Sequence, residues 1–294
     1  MHPHLFTLPW GTPVNAYGTL IMIGGLSSLP LTAWDARDRG IAPGRRLSFI
    51  VDLWLVIVVG AFLGGRLLHV LTVPGTYAAD PMKLVTLDGT GFVFFGSLMA
   101  IALGWVWLAR RYGTGVGTLW DMGLTWVPLA HAMGRLGCLL AGCCWGGVHT
   151  TGGGVRFGAE SIVVLTGGAP LVGRGTSLTT LPLHPTQLYE ALGLLALLAM
   201  TWGVRIRVGV ERPWRMASRY ALGYGLLRAA VEVFRGDLSR GFVVRWTWPE
   251  LAQVLSLPAE HPLGLSISQV TALMMVAIGA WGLWRTRQVP EIAA

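Results

Sequence analysis

Lysine is almost missing from this 294-residue chain: Lys83 is the single lysine among 22 Lys+Arg. Charge of either sign is scarce, at 12% of residues against roughly 25% in soluble domains. So little charge cannot cover the surface of a water-soluble protein of this size, and a soluble enzyme or binding module is excluded. Cysteine is nearly absent, with all three residues crowded between positions 138 and 144. That crowding excludes a disulfide framework, and the adjacent pair Cys143–Cys144 makes a strained bridge. The Cys-x4-Cys-Cys spacing matches no recognised zinc pattern, so no metal and no cofactor are expected. The three read as small buried thiols. There is no repeat of 20–50 residues, no long linker and no low-complexity tract. The opening MHPHLFTLPW lacks a cationic segment and a small-residue cleavage site, so no removable signal peptide is expected.

What is abundant is apolar. Hydrophobic residues make up 53% of the chain, glycines number 41 and tryptophans 14. Mean hydropathy is +0.58. Glycine suits close helix packing in a bilayer, and tryptophan suits its interfaces. The chain reads as an all-α integral membrane protein forming one domain over residues 1–294. The net charge of +8 comes from arginines set between apolar runs, not gathered on one polar face, so no nucleic-acid partner is expected.

A span needs about 20 residues. Seven apolar segments are expected to span, the fourth of them short: Asn15 to Ala33, Phe49 to Leu71, Thr90 to Ala109, Leu119 to Met133, Leu188 to Val204, Tyr220 to Phe234 and Leu265 to Trp284. A long glycine-rich loop, about 134–185, separates the fourth from the fifth, and a second loop covers about 235–264. Within the first loop, Ser161 to Gly167 is expected to form a short strand. Thirteen of the 22 cations fall in alternate short loops or the tail, among them Arg45, Arg46, Arg110, Arg111, Arg212 and Arg285. The positive-inside rule puts those loops in the cytoplasm, the N-terminus outside and the C-terminus inside.

Among the nine remaining cations, Arg66, Arg135, Arg228 and Arg235 lie in or at the edge of apolar segments. An arginine at membrane depth is costly unless an anionic group or a wet cavity receives it. In His131 to Gly147, Arg135 stands among Gly134, Gly137 and Gly142. Either this patch holds an anionic headgroup, or it is a helix end with a snorkelling arginine and packing glycines. His131 lies four residues before Arg135 and shares its helix face. In the sixth segment Arg228, Glu232 and Arg235 follow at i, i+4 and i+7 and are expected on one face. The bland reading there is an Arg228–Glu232 salt bridge, with Asp237 beside Arg235. The run His184 to Gly193 brings His184, Gln187, Tyr189 and Glu190 to the mouth of the fifth segment, either to line a site or to cap the helix.

Together these residues resemble the prolipoprotein diacylglyceryl transferases, bacterial inner-membrane enzymes. The resemblance rests on Tyr17-Gly18, Gly64-Gly65-Arg66, Gly134-Arg135-Leu136-Gly137, Trp145-Gly146, His184-Pro185-Thr186-Gln187-Leu188-Tyr189-Glu190, Tyr224-Gly225, Arg228, Glu232 and Phe234-Arg235. It implies transfer of diacylglyceryl from phosphatidylglycerol to the lipobox cysteine of a prolipoprotein signal peptide, by a monomer in the bilayer. It implies catalytic roles for Arg135, Arg228 and Glu232; His131, by its spacing to Arg135, is either a stand-in catalytic base or a structural histidine. Substrate contacts are implied for Tyr17, Arg66, Gly134, Gly137, Cys138, Cys143, His184, Gln187, Tyr189, Glu190 and Arg235. Two departures stand out. The family pattern Gly-Arg-x-Gly-Asn-Phe-x-Asn-x-Glu has Cys138, Leu139, Ala141 and Cys143 here, and Phe95 occupies the place of the family's histidine. Altered chemistry with a cysteine as acceptor, or a non-catalytic lipid-binding role, are the alternatives those departures leave open.

Overall fold

The computed structural model describes residues 3–9, 11, 13–84, 91, 93–237 and 241–287. Helices dominate. In chain order they are α1 Ala16–Asp35, α2 Arg46–Val59, α3 Gly65–Thr72, α4 Pro74–Ala79, α5 Phe94–Tyr112, α6 Val116–Ala141, α7 Ile162–Leu165, α8 Thr186–Val208, α9 Arg215–Val233, α10 Pro249–Val254 and α11 Ile267–Arg287. Six short strands form three antiparallel pairs: β1 His4–Thr7 with β2 Pro13–Asn15, β3 Leu171–Val172 with β4 Thr179–Thr180, and β5 Phe242–Val244 with β6 Leu265–Ser266. Among the described residues, four helical stretches are long and apolar enough to cross a membrane: Ala16–Asp35, Pro43–Thr72, Thr186–Val208 and Ile267–Arg287. The beginning of the third expected span, at Thr90, lies outside the described residues.

The chain divides into two compact units, residues 29–123 and residues 1–28 with 124–294. In the first, Phe49, Leu53, Leu108, Leu119 and Met122 are buried together around Trp105. Charged groups in this unit form ion pairs. Asp35 and Arg39 pair at 3.0 Å, and Asp52 receives Arg111 at 2.7 Å and the Tyr112 hydroxyl at 2.6 Å. Between α2 and α3 the winding loosens to a π-helical stretch, Gly60–Gly64. There α5 comes so close that a Cβ on Gly64 would sit 2.4 Å from the Gly96 carbonyl oxygen, and one on Gly96 would sit 2.2 Å from that of Gly64. Just beyond, Arg66 Nη1 donates to the Tyr77 hydroxyl and to the Gly91 carbonyl, both at 3.3 Å, and the Tyr77 hydroxyl also bonds His69 Nδ1 at 2.7 Å.

The sixth helix, which begins in the first unit and ends in the second, is longer than its hydrophobic run. Val116–Ala141 is continuous over 26 residues and carries Pro128 within it. Gly134 to Ala141, expected in the outer loop, is therefore helical, because leucine and cysteine continue the helix until a glycine stops it. The loop proper, 142–185, has its own small core of Phe157, Val163, Val164 and Leu183. Ser161–Gly167 is not a strand: Ile162–Leu165 is one helical turn, with Ser161 Oγ bonded to Gly158 O and Thr166 Oγ1 to Ile162 O. Local side-chain bonds of serine and threonine outweigh the β propensity of the isoleucine-valine run.

The loop is tied down by residues 146–148. Gly146 bridges Arg235, and Val148 bridges Leu183. The Gly147 amide donates to Phe234 O at 2.8 Å, and the His184 amide donates to Gly147 O at 2.9 Å. Gly146 is required at this crossing, since a Cβ would meet His184 O at 2.4 Å and Phe234 O at 2.9 Å.

Candidate functional site

Glu190, on the second turn of α8, is fully buried and is the centre of the site. Arg135 Nη2 from α6 reaches Glu190 Oε1 at 3.0 Å, and His131 Nε2, one turn earlier, lies 3.7 Å from the same oxygen. The Tyr224 hydroxyl of α9 donates to it at 3.0 Å, and its ring lies 5.1 Å from that of His131. Arg228 Nη1 faces Glu190 Oε2 at 3.8 Å, while Arg228 Nη2 pairs with Glu232 at 2.5 Å. Ser266 Oγ donates to the other oxygen of Glu232 at 2.9 Å. Three helices thus place two guanidiniums and two carboxylates in one low-dielectric pocket. Glu190 enters from another helix and, with Glu232, balances the two arginines. Arg228 Nη1 is buried without a hydrogen-bond partner among the described residues. An unused buried guanidinium donor favours an incoming anion, because leaving it unmade costs about 1–3 kcal/mol.

Arg235 does not share this centre. Helix α9 ends at Val233, so the i+7 position falls beyond the regular winding, and Arg235 pairs with Asp237 through Nε to Oδ1 at 2.8 Å and through Nη2 to Oδ2. That is the bland pairing of Arg235 named from the sequence. Gly134 and Gly137 have a packing role: a Cβ on Gly134 would meet the Ile21 side chain at 3.2 Å, and one on Gly137 would meet Tyr17 Cα at 2.9 Å. Arg66 belongs to the 29–123 unit with its own partners, Tyr77 and Gly91. Phe95 lies at the start of α5 with its side chain exposed.

In the His184 to Glu190 run, Glu190 lines the ionic centre, while the residues before it tie α8 to its neighbours without capping it. Pro185 makes no side-chain cap. Instead Thr186 Oγ1 donates to Cys144 O at 2.8 Å and Gln187 Nε2 to Cys143 O at 2.6 Å. His184 bonds Ser256 O through Nε2 and the Tyr189 hydroxyl through Nδ1, each at 3.2 Å. A carbonyl only accepts, so Nε2 carries the proton and Nδ1 accepts from tyrosine. His149 stacks on the imidazole at 4.3 Å. Burial, opposed by the Ser256 carbonyl and reinforced by His149, holds the His184 imidazolium below its ordinary range. His184 is a structural clamp joining the loop to α8.

The cysteines are not three separate thiols. Gly142 ends α6 in the left-handed region at φ 70°, its amide bonded to Leu139 O and that of Cys143 to Cys138 O. This pair of bonds is a Schellman turn, which brings the residue after the glycine back onto the one five positions earlier. Cys144 turns again at φ 59°, and all three sulfurs come within 4.8 Å of one another. Hydrogen bonds among the thiols, then the Arg235 and Arg135 guanidiniums, draw the Cys144 thiol below the ordinary cysteine range against the effect of burial.

Sequence reasoning left out Tyr224 and Ser266 as site residues. Tyr224 had a signal in its spacing, four residues before Arg228, whereas nothing local marked Ser266.

Long apolar helices around a buried arginine–glutamate centre define a helical membrane protein with an ionic site. A family model described as prolipoprotein diacylglyceryl transferase matches residues 3–285. The phosphatidylglycerol–prolipoprotein diacylglyceryl transferase of Clostridium tetani is 30% identical over 238 residues, covering 81% of this chain and 86% of that protein. Its namesake in Ruegeria pomeroyi is 30% identical over 291 residues, 97% of this chain and 92% of its own. The chain belongs to the prolipoprotein diacylglyceryl transferase family.

Proposed function

We propose that this protein transfers the diacylglyceryl group of phosphatidylglycerol to the lipobox cysteine thiol of prolipoproteins, the first step of lipoprotein maturation. The thiol sulfur forms a bond to the glyceryl carbon, that carbon's bond to the phosphate oxygen breaks, and glycerol phosphate leaves. The thiol proton passes to a base. The observation that carries the reading is Arg228 Nη1, buried beside Arg135 with no hydrogen bond of its own among the described residues. A guanidinium fork grips a phosphate through two donors, and charge gathering on the departing phosphate strengthens that grip in a dry site. Arg135 and Glu190 orient the fork, Glu232 holds its other nitrogen, and His131 is the basic side chain nearest this chemistry that the sequence supplies in place of the histidine lost at Phe95.

Two measurements test it. Expression in a bacterium depleted of its own transferase is expected to restore growth and lipoprotein processing. Purified protein is expected to release glycerol phosphate from phosphatidylglycerol only when a lipobox peptide with its cysteine is supplied. Failure of both would sink the reading and leave lipid binding without catalysis.

The same reading makes residues 1–294 one seven-span domain, acting as a monomer in the bacterial inner membrane, with outer loops at about 142–185 and 235–264. Arginine-rich loops put the N-terminus outside and the C-terminus in the cytoplasm. A reporter placed after Arg287 is expected to fold in the cytoplasm, and a tag between Gly152 and Gly173 to be labelled from outside. Opposite labelling at either position would overturn the orientation.

A further inference from the structure

We propose that Cys138, Cys143 and Cys144 form a three-sulfur site for one soft monovalent metal ion, of which copper(I) is the probe. The three sulfurs lie within 4.8 Å of one another, although the chain spacing alone gives no ligand pattern. A planar three-coordinate ion with metal–sulfur bonds of about 2.3 Å needs its sulfurs about 4 Å apart. The sulfurs, all within 4.8 Å of one another, have to draw together by less than about 1 Å to reach it.

The backbone beneath the sulfurs is held in place. The Schellman turn at Gly142 puts Cys143 over Cys138, with the Cys143 amide 3.1 Å from Cys138 O. Cys144 takes a left-handed conformation, which is unfavourable for a non-glycine residue and persists only where neighbours enforce it. The enforcing neighbours are two side chains from the first turn of α8: Thr186 on Cys144 O and Gln187 on Cys143 O. Gln187 is buried, and its Oε1 has no hydrogen-bond partner among the described residues. Two α8 residues thus fix the carbonyls of the turn that presents the sulfurs.

Ligand type selects the ion. Thiolates are soft donors and favour soft ions. Among the described residues the cluster contains no histidine or carboxylate, so a hard divalent ion seeking oxygen or a tetrahedral four-ligand set is poorly served. Three thiolates around a monovalent ion leave two negative charges, and the guanidiniums of Arg235 and Arg135 act on this cluster electrostatically. Each sulfur that binds releases its proton to solvent as the metal–sulfur bond forms, and nothing is oxidised or reduced.

The test uses the full chain, reduced and purified in detergent, with copper(I) buffered by a coloured copper(I) chelator. One copper(I) per chain is expected to be withdrawn from the chelator, with X-ray absorption showing three sulfur neighbours. Bound copper(I) is expected to protect all three cysteines together from alkylation, read by intact mass. Cys138→Ser, Cys143→Ser and Cys144→Ser are each expected to weaken binding by about tenfold or more, as loss of a metal-supporting group does. The alkylation readout needs no variant, so it decides the matter even if a variant misfolds. Less than one copper(I) per chain, unprotected thiols, or equal binding by the triple serine variant would overturn the site. So would a stable acyl or alkyl adduct on Cys143 or Cys144 in protein taken from cells, which would make the cysteine an acceptor instead.

Discussion

Arg228→Lys is expected to lower diacylglyceryl transfer by about 100-fold or more while the protein unfolds within a few degrees of its normal temperature, the loss typical of one removed oxyanion donor. Lysine keeps a positive charge near Glu232, which Arg228 Nη2 approaches at 2.5 Å. It cannot also present the second donor, because an ammonium is a point charge and a guanidinium a rigid fork. The second donor is Nη1, the one without a hydrogen bond among the described residues. The charge therefore survives and the geometry does not. Glu232→Gln is expected to act more mildly, since Ser266 still holds the side chain and only the alignment of Arg228 suffers. Arg212→Lys, in the loop before α9, is expected to change neither turnover nor phosphatidylglycerol binding. The comparison is turnover at matched expression together with thermal unfolding in detergent. Full activity in Arg228→Lys would reduce the Arg228–Glu232 pair to a structural ion pair.

Glu190→Ala is expected to damage the fold itself. Four groups converge on this carboxylate: Arg135, His131, Tyr224 and Arg228. Removing it leaves two buried guanidiniums facing each other with Glu232 alone to balance them. Breaking a buried ion pair from one side costs about 3–5 kcal/mol, because the remaining charge is stranded. Spread over a chain of this size, that lowers the unfolding temperature by on the order of 10 °C. Glu190→Gln keeps an acceptor for Tyr224 and is expected to fall between alanine and the native residue in stability, with activity lost in both. An unchanged unfolding temperature in Glu190→Ala would mean that water already satisfies the arginines and that the centre is not dry.

Much of this was legible in the chain. Arginines out of place in apolar runs marked Arg135 and Arg228, because desolvation makes such residues expensive without a partner. Helical spacing tied His131 to Arg135 and Arg228 to Glu232, and the structure shows both relations. The partner of Arg135 was not legible: Glu190 lies far along the chain, and its local context offered capping as an equally good account. The clustering of the cysteines was not legible for a related reason. Spacing tables describe ligands on regular elements, whereas here a glycine turn folds three sulfurs together. Gly142 was visible, but its consequence depends on where α6 stops, and the hydrophobic run ended several residues too early. At Ser161 to Gly167, β-branched residues suggested a strand that local hydroxyl bonds convert into a single helical turn.

The π-helical stretch Gly60–Gly64 gives the second apolar segment a phase shift. Each residue of ordinary α-helix advances about 100° around the axis, so the extra residue taken up there turns everything after it by that angle relative to everything before. Phe49 and Leu53 face one core upstream, while Arg66 and His69 reach Tyr77 downstream. The Gly64–Gly96 contact clamps the helix at the point of change, like a key in a slot. The length of this segment is therefore set by rotation as well as by bilayer thickness. Deleting a single residue there would still leave a helix long enough to span, yet would point Arg66 away from Tyr77.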